Sequence, residues 1–85
     1  MLTIDDLLTL IDRFRALNPG LTETTLSYRM FGDTKKIRFL RGGRDLTVAR
    51  FRGALGYLSE NWPDDHEVPE ILRAALAPPS RENAA

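Results

Sequence analysis

The chain contains no cysteine. Disulfides and thiolate metal sites are therefore excluded together, and with them the case for a small secreted domain held by cross-links. Histidine occurs once, at His66, within the run Asp64-Asp65-His66-Glu67. Four consecutive residues splay around a helix axis instead of converging, and no second cluster completes a coordination shell. The run reads as a polar linker, and no metal is expected. There is no nucleophile elbow and no acid–base pair around the single histidine. Gly42-Gly43 lacks the Lys-Ser/Thr sequel of a phosphate-binding loop. Enzymatic activity, a cofactor and a small-molecule ligand are accordingly not expected. No apolar run approaches the length needed to cross a bilayer. Asp5 and Asp6 stand where a signal peptide would carry bases, so a soluble, cytoplasmic protein without a membrane partner is expected.

What is present is one short chain of 85 residues. It predicts one domain, residues 1–77, followed by a disordered tail, residues 78–85. A chain of this length buries a small core, and dimerisation would add to it. Basic and acidic residues number 12 each, but they are not mixed evenly. Arg29, Lys35, Lys36, Arg38, Arg41, Arg44, Arg50 and Arg52 lie in one third of the chain, against only Asp33 and Asp45. The rest is acidic by the same margin. An anionic partner responds to such a local field, whatever the net charge.

The apolar spacing predicts an all-α fold, a compact bundle of four to five short helices. Ile4, Leu7, Leu8, Ile11, Phe14 and Leu17 recur at helical spacing after a Thr3 cap, with Asp5 and Asp6 at the positive end of the helix dipole. Asn18-Pro19-Gly20 stops this helix. A second helix starts at the Thr22 cap, with Leu21 and Leu26 placed as a hydrophobic staple, and ends at Gly32. Asp33 is expected to cap a third helix over 34–41, with Ile37 and Leu40 inward and Thr34, Lys35, Arg38 and Arg41 outward. Gly42-Gly43 stops it through the left-handed conformation open to glycine. A fourth helix follows the Thr47 cap with the stripe Val48, Phe51, Leu55, Leu58 and Trp62. A fifth is expected over 69–77, with Pro69 at its start. Tyr28 is expected to be half-buried.

The order in the middle of the chain is more informative than the helix count. A helix ends at a glycine, a tight turn follows, and a short helix with a basic outer face begins at once. This is the arrangement of a helix-turn-helix, over about residues 22–42, whose second helix enters the DNA major groove. The first turn of that helix would meet base edges through Thr34 and Lys35, and Arg38 one turn later can hold guanine with two parallel hydrogen bonds. Arg29, Lys36, Arg41, Arg44, Arg50 and Arg52 are the candidates for phosphate, together with the helix N-terminus at Thr47.

The stretch TETTLSYRMFGDTKKIRFLRGGRDLTVARFRGALGYL resembles the helix-turn-helix core of the phage-repressor (Cro/C1, XRE-like) class of bacterial DNA-binding proteins. The resemblance rests on Leu26-Ser27, the turn glycine Gly32, the apolar pair Ile37 and Leu40, the Arg41-Gly42-Gly43 step and the Asp45-Leu46-Thr47 entry to the next helix. The small residue lies one position further from the glycine than is usual in the family, and the stretch on to the glycine pair is slightly shorter. The resemblance implies a lambda-repressor-like DNA-binding domain. It also implies a small homodimeric repressor of phage-derived or autoregulatory type, binding an inverted-repeat operator in double-stranded DNA and associated with the bacterial nucleoid. Leu58, Trp62, Ile71 and Leu76 are the dimer-interface candidates it suggests. The alternative from another class is a protein-interaction module, such as an antitoxin or anti-repressor, whose basic centre binds an acidic protein partner.

Overall fold

The structure is a computed structural model and describes residues 2–76. Five helices and no strand occur among the described residues: α1 (Ile4–Ala16), α2 (Glu23–Phe31), α3 (Lys36–Arg41), α4 (Val48–Asn61) and α5 (Glu70–Leu76). The protein is an all-helical bundle. No helix among the described residues is long and apolar enough to cross a membrane.

Three threonines set three helix starts. Thr3 accepts the Asp6 N–H at 3.1 Å, and the Asp6 carboxylate accepts the Thr3 N–H at 2.9 Å, so α1 opens with a reciprocal capping box. Thr22 accepts the Thr25 N–H and Thr47 the Arg50 N–H, each at 3.2 Å. Each hydroxyl satisfies one of the N–H groups that a helix start leaves without an internal partner. At the other end of α2, Gly32 is left-handed, with φ +71°, and its N–H closes on the Tyr28 carbonyl.

The third helix departs from expectation at its start and ends at Arg41 as expected. It begins at Lys36 rather than Thr34, and no side chain of its own caps it. Asp33 accepts the Lys35 N–H at 2.8 Å, two residues on, and thereby shapes the turn instead of capping a helix. At the C-terminus the left-handed residue is Gly43, with φ +100°, while Gly42 has an ordinary φ of −82°. The Arg44 N–H reaches the Phe39 carbonyl at 3.0 Å and the Gly43 N–H the Leu40 carbonyl at 3.1 Å. These are the two bonds of a Schellman closure.

The core joins all five helices. Leu7, Leu10, Ile11 and Phe14 of α1 meet Leu26, Ile37, Leu40, Ala54, Leu55, Leu58 and Leu72, and Trp62 closes one end. The Phe14 ring lies 5.6 Å from Trp62 and 6.2 Å edge-on from Tyr57. Two burial expectations are corrected, one for a stripe position and one for Tyr28. Val48 is 75% exposed, because the first residue of α4 precedes the turn that meets the core, and Tyr28 is 60% exposed instead of half-buried. The fifth helix begins one residue after Pro69, whose carbonyl accepts the Leu72 and Arg73 N–H groups. Its expected end at Ala77, and the tail 78–85, lie outside the described residues.

Candidate nucleic-acid interface

Helices α2 and α3 are joined by a four-residue turn, Gly32 to Lys35. One side chain holds that turn in place. Ser27 is wholly buried, and its hydroxyl donates to the Asp33 carbonyl while accepting the Ile37 N–H at 3.0 Å. Ile37 is the second residue of α3, so the hydroxyl of one helix supplies the cap that the next one lacks. The short side chain also lets α2 and α3 approach closely. A position ending in a hydroxyl, ten residues from its partner, leaves no periodic signal. The Leu26-Ser27 step marked the site as small but did not indicate this bond.

The outer face of the α2–α3 pair carries the three residues expected to meet base edges. Thr34, Lys35 and Arg38 are all exposed and line one shallow depression. Glu23 and Thr24, from the first turn of α2, complete its wall. The sequence reading missed both. Their only signal was their place directly after the Thr22 cap, at the start of the helix that precedes the basic one. Chemically the depression offers a guanidinium fork, an ammonium, two hydroxyls and one carboxylate. The fork suits guanine, while the carboxylate suits the amino group of cytosine and repels phosphate.

Of the phosphate candidates, Arg41 is committed elsewhere. Its guanidinium meets Asp12 of α1 at 2.8 Å and Glu23 of α2 at 2.6 Å, and Arg15 stands 4.0 Å from the same Glu23. Hydrogen bonds to Asp12 first, and then to Glu23, raise the Arg41 pKa above its already high ordinary value. Arg41 thus ties α3 to both preceding helices and is removed from the set of free cations. The Thr47 hydroxyl is occupied as the α4 cap. Arg44 lies over the Phe39 ring, 5.3 Å from its centre, where the cation meets the electron-rich face. Arg52 lines an apolar groove with Val48 and Phe51, apart from the depression of Thr34, Lys35 and Arg38.

The remaining picture is one of unbalanced charge. Arg29, Lys35, Lys36, Arg38, Arg44, Arg50 and Arg52 form no ion pair among the described residues. Within this basic third of the chain, only Arg41 is neutralised by neighbours. Charged side chains of a folded surface are ordinarily interspersed with the opposite sign.

Two of the four suggested dimer contacts are corrected by burial. Leu58 is fully buried and Trp62 only 6% exposed, both inside the chain's own core. A helical stripe shows that a face is covered and not by which molecule. Ile71 and Leu76 are exposed, at 44% and 36%. No family model matches the chain, and no curated protein or solved structure matches it either.

Proposed function

We propose that the chain is a sequence-specific DNA-binding transcriptional regulator, working in the cytoplasm at the nucleoid. The observation that carries this reading is the set of basic side chains between Arg29 and Arg52 that have no acidic partner among the described residues. It is joined to a short helix whose Arg38 lines one depression with Thr34 and Lys35 of the turn before it. A surplus of cations without acidic partners repels itself, and a polyanion neutralises it while shedding its own condensed counterions. In this reading α2, the turn and α3 act as a helix-turn-helix. Helix α3 enters the major groove, Thr34, Lys35 and Arg38 read bases, and Arg29, Lys36, Arg44 and Arg50 meet phosphates.

The regulator acts as a homodimer on an inverted repeat, with half-sites about 34 Å apart, one turn of DNA. Bound at a promoter, it represses by occupying the site that polymerase needs. Selection of bound duplexes from a random pool tests the reading. A palindrome of two short half-sites is expected, and affinity should fall linearly on a log–log scale with salt. A pool that enriches nothing, or binding indifferent to salt, would overturn it in favour of an acidic protein partner.

A further inference from the structure

Among the described residues, an apolar strip is left uncovered. Two shallow depressions adjoin each other and share Leu2 and Ala75. One runs along α5 over Ile71 and Ala74, and the other over Val48 and Phe51 at the start of α4. Val48 and Ile71 are the two most exposed large aliphatic side chains of the described residues, at 75% and 44%. A continuous apolar strip on a small domain marks a surface that is covered in use.

The charges at its ends indicate by what. Asp6 lines the first depression and Arg52 the second, so the strip has an acid at one end, a base at the other, and Leu2 with Ala75 between them. Neither charge has an ion-pair partner among the described residues. Both hydrogen bonds that Asp6 accepts from Thr3 fall on Oδ2.

We propose that this strip binds a second copy of the same chain about a two-fold axis near Leu2 and Ala75, so that Arg52 of each copy faces Asp6 of the other. A two-fold axis exchanges the two ends of the strip, and the acid of one copy then meets the base of its mate twice over. An isologous contact requires this kind of self-complementarity. A partner of uniform charge would satisfy one end and be repelled at the other. The proposal extends the dimeric part of the function proposed above. It moves the interface from Leu58 and Trp62 to the start of α4 and the outer side of α5, and it moves Arg52 from phosphate to protein.

Sedimentation equilibrium of the full chain tests it. The wild type should behave as a dimer. Val48→Asp should weaken the dimer by about tenfold or more, with an unchanged helical spectrum, because the side chain is exposed and an acid suits the first turn of a helix. Arg52→Glu should weaken it comparably, while Arg52→Lys should hold the dimer. A wild type that stays monomeric at high-micromolar concentration overturns the proposal. So does a Val48→Asp chain that dimerises as the wild type does, or equal behaviour of Arg52→Glu and Arg52→Lys. A duplex with a single half-site separates this result from the DNA reading. Ile71→Asp, on α5 and away from the residues assigned to DNA, should weaken the dimer as Val48→Asp does and bind that duplex as the wild type does, whereas a protein that dimerises but binds no duplex would sink the DNA reading and leave the interface standing.

Discussion

The Ser27 hydroxyl of α2 accepts the backbone N–H of Ile37 in α3, at 3.0 Å and out of contact with water. The same hydroxyl donates to the Asp33 carbonyl. One oxygen therefore ties both the turn and the start of α3 to α2. Ser27→Ala should remove both bonds and strand the Ile37 N–H. A buried donor left without a partner costs about 1–3 kcal/mol. Urea unfolding measures the loss, and a Ser27→Ala chain as stable as the parent would show that the bond is idle.

Arg38 and Arg50 should separate reading from holding. Arg38→Ala is expected to cost about 1–3 kcal/mol on the selected duplex and to relax the preference at one base pair. Arg50→Ala should weaken every sequence alike and lower the salt slope by about 0.9. Fluorescence titrations on matched and mismatched duplexes at several salt concentrations check both. Identical profiles for the two variants would undo the assignment of roles.

Glu23 sits in the depression beside Arg38 while holding Arg41. Glu23→Gln should lower stability by only about 0.5–1 kcal/mol, since the pairing is partly exposed and Arg41 retains Asp12 at 2.8 Å. Affinity for duplex DNA should rise at low salt, because one repelling charge has left the face. The gain should fade as the screening length shortens to about 8 Å at physiological ionic strength. Weaker binding at low salt would instead mean that Glu23 itself accepts from a base.

The two adjacent glycines should respond differently to alanine. Gly43 has φ +100°, and alanine there costs about 1–2 kcal/mol. Gly42 has φ −82°, and an added Cβ would stand 3.5 Å from the Phe39 carbonyl, an ordinary contact. Gly42→Ala should therefore be neutral or stabilise by up to about 1 kcal/mol. Melting temperatures of the two variants decide the matter.

These positions show where a sequence can be read and where it cannot. Thr3, Thr22 and Thr47 were legible because a cap and the N–H it serves lie three residues apart. The inward residues of α1 were legible because the helix repeat aligns them. The Arg41–Asp12 pair joins residues 29 apart, and no local pattern announces it. Asp33 was misread because a short acid before a helix can serve either the turn or the cap, and the choice depends on where Ser27 pulls the chain. The glycine pair was legible as a stop, but the left-handed member follows from the Arg44 N–H reaching back to Phe39. Trp62 and Leu58 satisfied the stripe, but Trp62 packs on the Phe14 ring of another helix and both belong to the chain's own core.

The unpaired cations between Arg29 and Arg52 have a consequence for the free protein. Like charges held close by a fold push it apart, and anything that screens or neutralises them contributes to folding free energy by mass action. The empty protein should then melt higher in added salt, the reverse of a fold held by ion pairs. Under the proposed function, a copy bound to DNA would be the durable one, and a copy in surplus the one that opens most often to proteases. Occupancy and lifetime would be set by the same side chains.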